Sequence, residues 1–474
     1  MVSLAAALLL AACASPGPPQ APRPVLDAQP LAAGPAGGAP VDWPAAGWWR
    51  RWNDPALTSL IERALTQQPT LQQAAARVAQ AAARADAAAA DGQPQAQLSA
   101  DATRQHFSAR GLVPPALAGA TRWSATVQAG ASWELDLFGR RRAALDAAIG
   151  RLRAAEADAQ AAQVWLAAQL ATRWFALARL LEADRLADEG QRRREAVLAL
   201  QQAREAAGLD GAAARVAAEG ALAQGRADRQ TLAEAIARER HALAELAALP
   251  PQALDQAAPR LAALQPRPLP RVLGADLLGR RADLVAERWR VESAQHEQAV
   301  AQAQFYPDLN LVGFAGLSSL GLDHLVNAAA RTFGVGPALR LPLFEGGRLR
   351  AQAALRAAEA DTAIEGWNAA LLRALREAAD EIATLQALQR QRMAQAESAA
   401  AAEAAHALAQ QRHAVGLAGR LPVLEAEAAV LQQRRAAVDL QARQLDAEVA
   451  LIRALGGGYE AAPALAQAAR EASP

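Results

Sequence analysis

The chain has no lysine: its 49 basic residues are all arginine, set against 48 acidic ones, for a net charge of +1. That balance excludes the electrostatic footprint of a nucleic-acid binder. A single cysteine excludes an internal disulfide, and a structural zinc site would need more ligands. Aromatic residues make up only 4% of the 474 positions. Hydrophobic residues reach 52%, but most are alanine, which favours helix and buries little area per residue. Several broad globular cores are therefore a poor fit, and long helices packed side by side a good one. No later stretch offers the ~18 uncharged apolar residues of a transmembrane helix.

The lone Cys13 closes the run Leu8-Leu9-Leu10-Ala11-Ala12. A short apolar segment ending in small residues has the form of a secretory signal core, so residues 1–12 read as a signal peptide. Met1-Val2-Ser3 carries no basic residue. Leu10-Ala11-Ala12-Cys13 resembles a bacterial lipobox, which implies cleavage before Cys13 and lipidation of its sulfur and new amino group. Residues 13–47 are rich in proline, alanine and glycine and read as a lipid-anchored, extended tether. Residues 459–474 read as a loose tail.

Between these ends the chain repeats itself. Leu71 and Leu284, Arg77 and Arg290, and Pro94 and Pro307 are each 213 apart. Leu137 and Leu343 differ by 206, whereas Arg140 and Arg348, Arg204 and Arg412, and Gly208 and Gly416 differ by 208. The copies span residues 48–250 and 274–458, joined by a linker at 251–273. The first copy carries about seven extra residues, placed by composition at a loop tip around Leu112-Val113-Pro114-Pro115. The second gains two, Glu345-Gly346.

Each copy reads as helix, two strand-like runs, a very long helix, a turn and another long helix. The runs are Gln95 to Phe107, Arg122 to Leu137, Asp308 to Leu317 and Thr332 to Phe344, each long enough for a tilted membrane strand. Trp123, Trp133, Phe305, Tyr306, Phe333 and Phe344 lie near run ends, where interfacial aromatics sit. Alternation alone also suits a soluble hairpin pair. Leu424, Leu431, Val438, Leu445 and Ile452 are spaced by seven, and Leu371, Leu375, Ala378, Ile382 and Leu385 by alternating fours and threes; both make coiled-coil seams. Gly208 and Gly416 read as helix stops, with tips at 209–212 and 417–420. Four strands leave open edges, which a bilayer does not allow, so several copies must close a barrel.

Specific stretches then match a family. They are Trp49-Arg50-Arg51-Trp52-Asn53-Asp54-Pro55-Ala56-Leu57, Trp133-Glu134-Leu135-Asp136-Leu137-Phe138-Gly139-Arg140, Arg280-Arg281-Ala282-Asp283-Leu284, Gln304-Phe305-Tyr306-Pro307, Gly336-Pro337-Ala338-Leu339-Arg340-Leu341-Pro342-Leu343-Phe344-Glu345-Gly346-Gly347-Arg348 and Arg412-His413-Ala414-Val415-Gly416-Leu417. The chain resembles the TolC-like outer-membrane efflux proteins, within them the NodT-type lipoprotein branch serving resistance-nodulation-division pumps. The resemblance implies an α+β membrane protein and a homotrimer. Long antiparallel coiled-coil helices would form a periplasmic α-barrel, and four strands per chain a twelve-stranded outer-membrane β-barrel. It implies a periplasmic membrane-fusion adaptor, an inner-membrane pump and outer-membrane lipids as partners. It implies no cofactor beyond the lipid on Cys13. A type I protein-secretion duct and a poreless, lipid-anchored periplasmic coiled-coil scaffold are the alternatives.

No catalytic constellation emerges. His406 and His413 share a helix face with Glu403, but a solvated reading outweighs a metal site. Gly334 and Gly336 lie in a strand-like run with no phosphate loop. Gly139, Gly346 and Gly347 read as strand-to-helix bends. In the family, acidic rings line the tunnel's constricted tips. Asp210 and Glu425 are the gate candidates, though either also suits a helix start. Arg204, Gly208, Arg412 and Gly416 are the candidates for an adaptor-facing tip.

Overall fold

The computed structural model describes residues 23–26, 46–266 and 281–458; Cys13, the signal segment and the tail lie outside them. Helices α1 (Pro55–Gln67) and α2 (Pro69–Asp91) lead into strands β1 (Gln95–His106) and β2 (Thr121–Leu135). Helices α3 (Arg140–Ala206) and α4 (Ala212–Leu246) complete the first copy. The second copy runs α5 (Ala282–Ala303), β3 (Asp308–Leu320), β4 (Arg331–Arg340), α6 (Arg348–Ala414) and α7 (Arg420–Ala454). Helices α3 and α6 each have 67 residues, about 100 Å at ~1.5 Å per residue.

Two compact units cut across the copies: of the described residues, one holds 23–25, 77–156 and 286–368, the other 26, 46–76, 157–266, 281–285 and 369–458. The copies are thus units of sequence, while each compact unit takes half of both. In the first unit the strands form one antiparallel sheet in the order β1-β2-β3-β4. Register sorts the side chains, because alternate residues point to opposite faces. Trp133 pairs with Leu311, and Leu311 with Pro337. One face therefore carries Leu98, Trp123, Val127, Trp133, Leu309, Leu311, Phe333, Val335 and Leu339. The other carries Gln95, Gln97, Ser99, Asp101, Thr126, Gln128, Ser132 and Asn310, with Val312, Phe314 and Leu320 of β3 among them, and is the more polar of the two. This is the dyad pattern of a barrel wall with lipid outside and water within.

The extra residues of the first copy are not confined to the loop tip. The β1–β2 connection runs over 107–120 and the β3–β4 connection over 321–330, while β2 has 15 residues and β4 has 10. The insertion is shared between loop and strand. Of the aromatics expected at an interface, Phe305 is instead buried, and Tyr306, Phe333 and Phe344 are exposed.

In the second unit, Asp54 starts α1 by accepting from the amides of Ala56 and Leu57 through Oδ1, both at 3.0 Å. Its Oδ2 accepts from the Trp174 indole at 2.8 Å, tying the cap to α3. Trp48, Trp52, Leu57, Ile61, Leu166, Leu170, Phe175 and Leu177 form the main core with Leu445, Val449 and Ile452 of α7. The linker at 251–273 belongs partly to this core, since Leu261 and Leu264 are buried and Gln441 Nε2 donates to both their carbonyls at 2.9 Å. Along α6 the seam runs through Leu371, Ala374, Leu385 and Leu388. Ala374 is buried where the spacing predicted Leu375, which is half-exposed.

The copies solve one shared problem with different chemistry. Buried Gln68 donates through Nε2 to the carbonyls of Glu245 and Leu246, both at 3.1 Å, capping the end of α4. Arg281 stands at the matching place and donates to Ala454 O, the end of α7, at 3.3 Å. It also binds Asp283 at 2.7 Å and Glu377 at 3.0 Å. Burial opposes the charge on Arg281, but these two carboxylates outweigh it, and the Arg281 pKa is raised.

Candidate functional site

Helices α3 and α6 end in the same turn. Gly208 (φ 69°) and Gly416 (φ 78°) are left-handed, a conformation that glycine adopts without steric cost. The amides of Gly208 and Leu209 donate to Glu205 O at 2.9 Å and Arg204 O at 2.8 Å. Those of Gly416 and Leu417 donate to His413 O at 3.0 Å and Arg412 O at 2.8 Å. This paired pattern is a Schellman cap, and it satisfies carbonyls the helix end would otherwise leave open. The turns leave Leu209, Val415 and Leu417 exposed, at 67%, 70% and 73%.

Their charges differ. Arg204 grips Asp210 with both arms, Nε to Oδ2 at 2.6 Å and Nη2 to Oδ1 at 3.1 Å. These hydrogen bonds hold the Asp210 carboxyl below its ordinary range. Arg215 similarly binds Glu205 at 2.8 Å and Glu219 at 2.7 Å. In the second copy Ala418 stands where Asp210 does in the first. Arg412 is exposed and has no ion pair among the described residues; Glu425 is exposed and likewise unpaired. The gate candidates are thus unlike: Asp210 is neutralised within its own turn, whereas Glu425 presents a free charge. Nothing in helical spacing relates residues six apart, so the Arg204–Asp210 pair becomes visible only once the turn is built.

His413 Nδ1 lies 2.9 Å from Ala418 O, so this ring closes the turn. Among the described residues no three potential metal ligands converge.

The strand-to-helix junction lies in the first unit. Gly139 (φ 73°), Gly346 (φ 59°) and Gly347 (φ 87°) are all left-handed there. Buried Glu134 accepts twice from Arg140 Nη2, at 2.5 and 2.7 Å. Asp136 receives the amides of Arg141 at 3.1 Å and Arg142 at 2.8 Å, capping α3. Phe138 stacks on Tyr306 with ring centres 4.9 Å apart. A cavity of about 330 Å³ opens here between Glu134, Phe138, Tyr306, Asp308 and Arg340. The glycines of this junction stand out in the sequence, and Asp136 carries a signal of its own, an Asp shortly before a helix start.

A sheet with one mainly apolar face, one mainly polar face and two open edges, in a chain that also builds two long helical hairpins, defines a class: a membrane duct closed by several copies. The comparisons specify it. The family profile for "Outer membrane efflux protein" matches residues 60–249 and 273–457. The multidrug resistance outer membrane protein MdtP of Shigella flexneri is 33% identical over 436 residues, covering 89% of this chain and 88% of that protein. MdtQ of Escherichia coli O157:H7 is 32% identical over 434 residues, covering 88% and 89%. Among solved structures, the outer membrane protein VceC of Vibrio cholerae superposes with a TM-score of 0.80 at 35% identity, covering 88% of this chain and all of that one. The open-state MtrE channel of Neisseria gonorrhoeae gives 0.75 at 26%, covering 86% and 90%. The chain belongs to the outer membrane efflux protein family. It is a channel component and not an enzyme. It forms a trimer with a twelve-stranded barrel in the outer membrane, extends into the periplasm, and works with an adaptor and an inner-membrane pump.

Proposed function

We propose that the trimer is the passive exit duct of a pump of the resistance-nodulation-division class, passing drugs and other toxic small molecules outward. The relatives named for multidrug resistance support the substrate class. The observation that carries the reading is the polar sheet face, whose Gln95, Gln97, Ser99, Gln128 and Asn310 would line a wetted, weakly selective bore. Adaptor docking at the tips around Gly208 and Gly416 opens the tunnel. Arg204 and Arg412 face the adaptor, and Asp210 and Glu425 line the constriction.

Lipidation of Cys13 holds the chain to the outer membrane. Arg23 lies ten residues further on, a reach of about 35 Å when extended. Arg23 meets Glu365 at 3.4 Å, and Asn368 Nδ2 donates to Pro24 O at 3.2 Å. Glu365 is 17 residues into α6 from Arg348, about 25 Å along its axis. The tether is therefore long enough to return to the level where α6 begins. Mass analysis of the mature N-terminal peptide should find three acyl chains, and none after Cys13→Ser.

Single-channel conductance in planar bilayers tests the gate. Wild type should show small, cation-preferring openings. Glu425→Ala should raise conductance. Asp210→Ala should raise it less but reduce cation preference, because it also frees Arg204. Large conductance unchanged by both substitutions would retain the duct and remove these two residues from the gate.

A further inference from the structure

Within one chain, the first copy's long helix packs on the second copy. Ser293 Oγ of α5 donates to Ala147 O of α3 at 2.8 Å, and a β-carbon on Gly150 would lie 3.0 Å from that of Ser293. Arg151 of α3 pairs with Glu297 of α5. Further along, Glu189 of α3 meets Arg434 of α7 at 3.9 Å. The repeat says where each contact should recur. The offset of 208 carries α3 onto α6 and α4 onto α7, and that of 213 carries α2 onto α5.

The matching surfaces are open, save that Glu365 at the far end of the α6 stripe meets Arg23 of the same chain. On α3, Ala143, Ala147, Gly150, Ala154 and Ala157 are all buried. Their counterparts on α6, Ala351, Leu355, Ala358, Thr362 and Glu365, are all exposed. On α5, Ser293 and Ala301 are buried at 4% and 3%. On α2, their counterparts Gln80 and Ala88 are exposed and half-exposed. Arg84, the counterpart of Glu297, is exposed with no ion pair among the described residues. Closing a ring requires a cover for both stripes, and the repeat makes each the other's complement.

We infer that α6 docks on α2 and α4 of the next copy through contacts that repeat those inside the chain. Arg151–Glu297 maps onto Glu359 and Arg84 of the partner subunit, with the charges exchanged and the attraction kept, Glu359 being shared with Arg356 of its own helix at 2.7 Å. Glu189–Arg434 maps onto Glu397 and Arg226 of the partner subunit, with the charges in their original order. In the single chain Glu397 and Arg226 are exposed and without an ion pair among the described residues. The remaining ion pair between the copies among the described residues, Arg179–Asp439 at 3.1 Å, maps onto Ala387 and Thr231, which are neutral and oppose nothing. Ala358 meets Gln80 of the partner subunit as Gly150 meets Ser293.

The full-length protein carrying both Gln80→Cys and Ala358→Cys tests the inference: the contact being repeated would bring the two β-carbons to 3.0 Å, and the shift of about 0.5 Å that a second β-carbon forces leaves them within the range a disulfide bridges. Oxidised in detergent, it should run on a denaturing gel at two and three times the protomer mass and return to one on reduction. Wild type, which carries only Cys13, and each single variant should stay at one. Intact trimers of the double variant that do not cross-link, or cross-linking in a single variant, overturn the proposal. If the double variant fails to form trimers, charge exchange decides. Glu397→Arg and Arg226→Glu alone should each lower the trimer fraction several-fold, and together restore it. Failure to restore it overturns the proposal as well.

Discussion

Asp446 on α7 is a carboxylate in the wrong place for its charge. Its Oδ1 is buried with no hydrogen-bond partner among the described residues. Loss of hydration pushes its pKa up from 3.8 to about 6. Arg179 pulls the other way, but it is shared with Asp439 at 3.1 Å. Glu239, itself bound to Arg173 at 3.2 Å, adds to the rise. An acid whose pKa is higher in the folded state takes up a proton on folding, so stability falls as pH rises through 4 to 6. A shift of about two units at ~1.4 kcal/mol each makes the ionised group cost about 3 kcal/mol at pH 8. At pH 4.5, where the folded carboxyl is largely protonated and the unfolded one largely ionised, the same linkage leaves about 1 kcal/mol. Asp446→Asn keeps the shape and has no charge to bury. It should stabilise the helices by about 3 kcal/mol at pH 8 and about 1 kcal/mol at pH 4.5. Thermal melts followed by circular dichroism at 222 nm at the two pH values give the comparison, because other carboxylates titrate alike in both proteins. An equal gain at both pH values, or a loss at pH 8, would refute the reasoning.

Other perturbations probe other parts. Arg281→Ala leaves Glu377 and the end of α7 uncompensated and should cost about 3 kcal/mol. Arg281→Gln, which copies Gln68 of the first copy, should recover about 1 kcal/mol of that through the cap, read as a partial return of the melting temperature. Gly316→Ala drives a β-carbon into Val127 O and to 2.7 Å from Gln128 Cα; it should abolish the heat-modifiable barrel band on gels, whereas Gly130→Ala, with nothing within 4 Å, should leave it. Gly208→Ala and Gly416→Ala meet open space but keep a left-handed backbone, so each should cost about 1 kcal/mol and weaken adaptor binding in a pull-down.

Much of the fold is legible because it is periodic. Alternation located β1 and β3 to within a few residues, and Gly139, Gly208, Gly347 and Gly416 bracket the two long helices. What escapes is whatever depends on a third dimension. Phe305 and Tyr306 are neighbours with opposite fates, one buried and one stacked on Phe138. Ala374 displaces Leu375 from the seam because the helix drifts relative to a strict heptad. The tips were readable as turns, but not as one self-neutralised and one charged turn, since Arg204 meets Asp210 across the cap. Arg281 sits in a stretch that marks the family, yet its task as a helix cap shows only beside Gln68, its counterpart.

The sheet ends in two unpaired strands, β1 and β4, and each finds its match only on another copy. A ring of three is therefore as good as its worst member. Suppose a cell makes equal amounts of wild type and of a variant whose β4 cannot pair but whose β1 can. Random mixing leaves only about one trimer in eight wholly wild type. Such an allele behaves as a genetic poison, removing most of the export capacity of a cell that still carries a sound gene. A null allele of the same gene removes only half.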